Sequence, residues 1–314
     1  MLKLQLENKN RCISVYFNKD SIIYTIRIML KHSTLQLLRI KFSFFLMPIY
    51  WFALSSLSSI NIFRSIIIFI IFHLFLYPAS NAYNSYMDRD TKSIAGVEKP
   101  LQPTKELFYI SLILDGMALL TGLMISFYFA ACIILFTSAS RAYSYRGIRL
   151  KKYPIISFFT AIVFQGSMVF FMTYHGSSMS QTLEVPYLPI IISALLVGSF
   201  YPLTQIYQHA QDKEDGVKTL SMLLGYKGTF IFTAFIFLIT MVLMGVFFGL
   251  NLELDRFLVV LACMFPVSFY FIRWFLKVRK NIGEANYKNS MEMSFAAAAG
   301  TNAAFIILLI MERF

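Results

Sequence analysis

The sequence predicts an all-α integral membrane protein, a bundle of about nine transmembrane helices, and three observations carry that prediction. Of its 314 residues 58% are hydrophobic and only 14% charged, against roughly 45–50% apolar and about 25% charged in soluble domains. The apolar residues fall in continuous runs of about 20, the length at which a helix crosses a bilayer. None of these runs alternates with period two, as a membrane-spanning strand would.

Taken in order, residues 1–33 are mixed polar and basic, with Lys3, Lys9, Arg11, Lys19, Arg27 and Lys31. The charged start is not followed by an apolar core and a small-residue cleavage site, so it does not read as a signal peptide. It reads as a tail ahead of a membrane domain at 34–314, with Met29 as an alternative start. Spans follow near 42–60, 65–86, 106–126, 128–145, 154–174, 187–208, 228–250, 256–275 and 290–311. The last is alanine-rich (FAAAAGTNAA), which suits close helix packing. Cys12, Cys132 and Cys263 lie far apart, without metal or redox spacing, and no disulfide is expected.

The net charge of +12 is placed by topology. Lys and Arg crowd the loops after spans two, four, six and eight, whereas the opposite loops and the C-terminus hold Arg64, Arg256 and Arg313. The positive-inside rule puts the N-terminus and the even-numbered loops in the cytoplasm. Nucleic acid is not an expected partner; membrane lipid is.

One motif occurs twice. YPASNAYNSYMDRD starts at Tyr77 and YPLTQIYQHAQDKE at Tyr201, each closing an apolar run and opening a charged loop. On a helix Asn81, Asn84 and Asp88 share one face, and Gln205, Gln208 and Asp212 repeat that spacing, with Asp215 extending it. Four spans separate the copies, so both run in the same direction and reach the same membrane face, unlike the halves of an inverted-repeat transporter. Polar side chains inside a span face a cavity or the bundle interior. Two ladders in one register therefore read as two walls of one site.

Its oxygen ligands suit a hard cation such as Mg²⁺, which is held by few carboxylates together with substrate phosphates. The neighbouring Arg89, Lys92, Lys99, Lys152 and Lys218 suit a phosphorylated ligand. A plainer reading stays open for single residues: Asn and Asp cap helices, and Lys and Arg obey topology. Tyr83 and Tyr207, at matching motif positions, are also open to a role as headgroup-level aromatics. Among the histidines, His209 alone lies on a motif.

These features together resemble the UbiA superfamily of intramembrane prenyltransferases over roughly residues 33–311. The family's first motif, NDxxDxxxD, is followed by a basic residue, Pro and Leu; here the chain has SNAYNSYMD at 80–88, then Lys99, Pro100 and Leu101. The second, Asp-rich motif leads to a Lys-Ser/Thr stretch ending in Leu-Gly; here Asp212, Lys213, Glu214 and Asp215 precede KTLSMLLG at 218–225. The segment YSYRGIRLKKYP at 143–154 is similar to the family's loop after helix four.

The chain departs from the pattern in having Ser80, Asn81 and Asn84, with Asp88 as the one motif carboxylate, and Gln205 and Gln208 upstream of Asp212. The resemblance implies an isoprenoid diphosphate bound at the cytoplasmic mouth and alkylation of a lipophilic acceptor such as a quinone-precursor ring. It implies Asp88, Asp212 and Asp215 as catalytic, and these with Asn84 and Gln208 as Mg²⁺ ligands. Asn81, Asn84, Gln205, Gln208, Arg89, Lys92, Lys99, Lys152 and Lys218 would bind substrate, and Tyr83 and Tyr207 would face an allylic cation. Two rival functions remain at this point: a non-catalytic isoprenoid-binding relative and a small-solute transporter.

Overall fold

In a computed structural model, the structure describes residues 30–313 and the backbone of a two-stranded antiparallel hairpin, Leu4–Asn8 paired with Arg11–Val15. The expectations for the rest of the N-terminal segment, Met29 included, lie outside the described residues. Among those described, eight helices are long and apolar enough to cross a membrane. In chain order they are α1 His32–Ser55, α2 Ile62–Asp88 and α3 Lys105–Leu123, then α5 Pro154–Ser177, α6 Tyr187–Gln205, α7 Leu220–Leu250, α8 Leu254–Lys280 and α9 Tyr287–Met311. Between α3 and α5 runs α4, Phe127–Ser144. It is less apolar than the others because its C-terminal end, from Ser138 to Ser144, is polar. That end lines the cavity described below.

Local chemistry sets the helix starts. Asn61, Ser126, Thr219 and Asn286 each accept a backbone N–H three residues on, capping α2, α4, α7 and α9. Each helix packs on its neighbour in sequence except across α4–α5, where contact is lighter, and α9 on α1 completes the ring. α1 also packs on α5. There Phe52 stacks on Phe305 and meets Phe170, with ring centroids 4.7 and 5.4 Å apart. These buried aromatics fill the end of the bundle opposite the motif loops.

Two boundaries differ from expectation for a physical reason. α1 begins at His32 rather than near 42, because it is broken: an α-turn His32–Leu37, a left-handed Arg39 (φ 48°) and a 3-10 stretch Ile40–Leu46 precede Met47–Ser55. α7 begins at Leu220 rather than 228, with a kink at Gly225 (φ 67°, ψ 175°), a conformation open essentially to glycine.

Two further irregularities lie beside the motifs. α2 and α5 each contain a π-turn, Ile71–Leu76 and Ile162–Ser167. A second, smaller core of Leu37, Leu38, Ala82, Ile94, Val97 and Leu107 pins the loop after α2 to the bundle. That loop carries half of the charged mouth.

Candidate functional site

The two motifs share sequence but not conformation. In the first copy, α-helix continues from Tyr77 to Asp88, so Asn81, Asn84 and Asp88 form the expected ladder. Asn84 Nδ2 donates to Asp88 Oδ2 at 2.9 Å and to Ser144 Oγ at 3.0 Å. One turn earlier Ser80 and Ser140 hydroxyls meet at 2.6 Å. Ser140 and Ser144 are thus a matching i, i+4 pair on α4 that zips it to α2. Sequence reading passed over them, although that spacing at the polar end of an otherwise apolar span was the available signal.

In the second copy the helix does not continue. Tyr201–Gln205 is a 3-10 turn, and a separate short helix, His209–Glu214, carries Asp212. Pro202 accounts for the break, since it offers no N–H and its ring crowds the preceding turn. The second ladder is therefore not one helix face. Gln205 is buried and accepts from the Ser221 backbone N–H at 3.4 Å, while Gln208 Nε2 donates to Ser93 O at 3.3 Å. His209 is held by the Ser221 hydroxyl at 2.8 Å.

The two motif loops nevertheless meet. Besides the Gln208–Ser93 contact, Gln211 donates to Asp90, and Lys92 pairs with Glu214 at 2.7 Å in an exposed bridge. The loop after α4 closes the third side. Lys151 Nζ lies 2.6 Å from Asp88 Oδ1, and Arg149 Nη2 lies 3.4 Å from Asp215 Oδ2 and 4.0 Å from Asp88 Oδ1. Arg39, at the break in α1, donates to Ala95 O at 3.1 Å, and its Nε has no partner among the described residues. Arg39 and Arg149 both hold left-handed backbone, φ 48° and 51°. Such a conformation costs a non-glycine residue about 1–3 kcal/mol, which surrounding structure must offset.

Burial and like charge set the electrostatics. Loss of water raises the Asp212 carboxyl to about 7, opposed by Lys151 and reinforced by Asp90, Asp215 and Asp88. Desolvation likewise raises Asp90 to about 6, with Asp88 the next cause. Burial also pushes the Tyr207 hydroxyl upward; that oxygen has no hydrogen-bond partner among the described residues, and its ring meets Tyr287 edge-on at 5.3 Å.

Below the carboxylates lies a cavity of about 180 Å³, walled by Arg39, Ser80, Asn81, Asn84, Ser140, Tyr143, Ser144, Thr160, Gln165 and Tyr201 among others. The Tyr143 and Tyr201 hydroxyls meet across it at 2.7 Å. A second cavity of about 220 Å³ shares Phe42, Gln165 and Tyr201 with the first and is otherwise mostly apolar, with Phe45, Leu46, Ile49, Leu196, Phe200 and Ala297 in its wall. A charged mouth, a polar chamber and an apolar chamber follow one another.

Several expected residues stand elsewhere. Tyr83 is covered by Arg141, whose guanidinium lies 4.0 Å over its ring and pairs with Asp115 of α3; the tyrosines on the cavity are Tyr143 and Tyr201. Lys152 Nζ stands 5.0 Å over Tyr153, and the adjacent Lys151 takes the place at Asp88. Arg89, in left-handed backbone at the end of α2, turns outward over Tyr86, and Lys99 and Lys218 are exposed. Lys151, Arg149 and Arg39 are the cations the fold brings in.

The expected metal ligands do not form a ready cluster: among the described residues no three His, Cys, Asp or Glu side chains converge on a common point. Asn84 and Gln208 spend their amide N–H groups on protein acceptors. Among the described residues the buried Asp212 Oδ2 lacks a hydrogen-bond donor, and the buried Asp88 Oδ1 is met by the Lys151 ammonium at 2.6 Å and, more distantly, by Arg149. Hard oxygen atoms of this kind, few in number, fit a Mg²⁺ ion that completes its shell with water and substrate phosphate.

No curated protein sequence matches the chain. Solved structures resemble it in fold. A UbiA homologue from Archaeoglobus fulgidus, bound to DMAPP and Mg²⁺, superposes with a TM-score of 0.66 at 17% identity over 88% of this chain and 99% of its own. The apo UbiA homologue from Aeropyrum pernix K1 gives 0.63 at 18% identity, covering 85% of this chain and 98% of its own. A digeranylgeranylglyceryl phosphate synthase gives 0.57 at 19% identity, covering 88% and 96%. At such identities the likeness speaks for the architecture. The sequence itself supplies the membership: residues 45–309 match the UbiA prenyltransferase family, and the chain belongs to that family.

Proposed function

We propose that this prenyltransferase moves an isoprenyl group from a prenyl diphosphate to a lipophilic acceptor, with Mg²⁺ at a mouth that faces the cytoplasm. The observation that carries the reading is the sequence of charged mouth, polar chamber and apolar chamber, with Phe42, Gln165 and Tyr201 shared between the chambers. Family relatives bound to GPP or DMAPP with Mg²⁺ support it.

Asp88 and Asp212 would hold the cation, with Asp215 beside them, and Mg²⁺ bound there supplies positive charge for the departing diphosphate. Lys151 and Arg149, both from the loop after α4, and Arg39 from the break in α1 would grip diphosphate oxygens. Binding of that anion gives the unpaired Arg39 Nε a partner and exchanges the Asp88–Lys151 contact for a shared one. Loss of diphosphate would leave an allylic cation at the donor carbon, which Tyr143 and Tyr201 through their rings and Asn81 and Asn84 through their amide oxygens would stabilise. Phe42, Phe136 and Phe164 in the cavity wall keep water from that carbon.

Purified chain in lipid nanodiscs, given radiolabelled geranyl diphosphate, Mg²⁺ and a membrane lipid extract, tests this. Mg²⁺-dependent diphosphate release with label entering a lipid product is expected, and Asp88→Ala or Asp212→Ala should lower it at least 100-fold, each removing one of few anions. Tight binding without release, in the wild type, would overturn the catalytic reading in favour of a binding protein.

A further inference from the structure

We propose that Gln165 is the hydrogen-bonding anchor for the acceptor, selecting molecules that carry a hydroxyl or carbonyl oxygen on an apolar ring or chain. The inference rests on the prenyltransferase reading and deepens it. Gln165 lines both chambers, so its amide stands where the polar cavity becomes the apolar one. It lies within a membrane-spanning helix and makes no hydrogen bond to any described residue, although neighbouring Ser167 is paired with Ile190 O at 3.3 Å. A polar side chain at that depth is costly unless it faces a cavity that gives it a partner.

The backbone around it is built to hold it there. The π-turn Ile162–Ser167 inserts an extra residue, which shifts the helix phase by about 100°. Next in sequence, Gly166 lies against α6 so closely that an added Cβ would stand 2.6 Å from Ser193 O and 2.7 Å from Ala194 Cα. Only glycine permits this contact, and it fixes the amide's starting point to two helices at once.

The chemistry of the amide then names the ligand class. A primary amide offers two donors and one acceptor, so it pairs with either a hydroxyl or a carbonyl. It carries no charge and stands on the apolar side of the Asn81–Asn84 ladder, which leaves diphosphate to the cations at the mouth. A ligand without an oxygen leaves the amide unpaired, and sites of this kind reject such analogues more strongly than a contact inventory implies.

The test compares 1-naphthol with 1-methylnaphthalene, a hydroxyl against a methyl of similar size, by equilibrium dialysis against nanodisc-embedded chain, corrected for empty nanodiscs. Wild type should prefer 1-naphthol by about 3- to 10-fold, the worth of one net hydrogen bond. Gln165→Leu should abolish the preference and leave binding of geranyl S-thiolodiphosphate within twofold. Gln165→Met, which keeps the side-chain length, gives the same comparison if leucine disturbs folding. Absence of a preference in wild type, or its survival in either variant, overturns the assignment. Failure of the wild type to bind geranyl S-thiolodiphosphate instead counts against the prenyltransferase reading, whatever Gln165 does.

Discussion

Asp88 and Asp212 are the same motif position in two copies, and the fold gives them different neighbours. Asp88 is buried among Asn84, Lys151 and Arg149, whereas Asp212 has Lys151 as its one nearby cation and three carboxylates, Asp90, Asp215 and Asp88, acting against its charge. Its carboxyl stands at about 7 and that of Asp90 at about 6, both above the ordinary 3.8. A folded-state value above the unfolded one means that the folded chain holds extra protons between the two, so stability falls as pH rises through that window. In EDTA, the Tm of detergent-solubilised chain should therefore fall between pH 4 and pH 7, and Asp212→Asn should flatten part of that slope. An identical slope in the variant would show that Asp212 is not the group concerned. The shared face of Asn81, Asn84 and Asp88 was legible in sequence because three residues on one continuous helix fix a direction. Lys151 and Lys152 were not separable, because adjacent residues in a 3-10 turn point about 120° apart and sequence does not give the phase. Arg39 was missed because a broken span, not a motif, delivers it.

At the level of elements, a shared Tyr-Pro produced two local structures. Pro78 follows the π-turn Ile71–Leu76, where the i→i−4 ladder has already been relaxed, and the helix runs on to Asp88. Pro202 meets no such turn; the helix narrows to 3-10 and ends at Gln205. Sequence spacing therefore described the first ladder and misdescribed the second. The Leu-Gly that closes the KTLSMLLG segment has an equally local explanation. Gly225 has φ 67° and ψ 175°, and a Cβ added there would meet nothing within 4 Å. Any penalty at this site is thus backbone strain alone. Gly225→Ala should cost about 1–3 kcal/mol, read as a lowered Tm, and should weaken the placement of Gln205, whose oxygen accepts from the Ser221 N–H at the start of α7. An unchanged Tm would mean that the kink relaxes at little cost.

For the whole molecule, the span pattern was the most legible feature, because apolar length and loop charge are summed over many residues and tolerate local error. The break in α1 and the early start of α7 altered individual ends without altering the order of crossings. That order, with positive charge in every second loop, makes orientation a definite prediction. Thr91, exposed in the loop after α2, and Ser180, exposed in the loop after α5, lie on opposite sides of the bundle. In a background with Cys12, Cys132 and Cys263 changed to serine, Ser180→Cys should react with a membrane-impermeant maleimide in right-side-out vesicles. Thr91→Cys should react only in inverted ones. The reverse pattern would place both motifs outside and defeat the proposal that the diphosphate enters from the cytoplasm. It would also make this chain an exception to the charge rule at four loops together, where each exposed Lys or Arg argues independently for the same side.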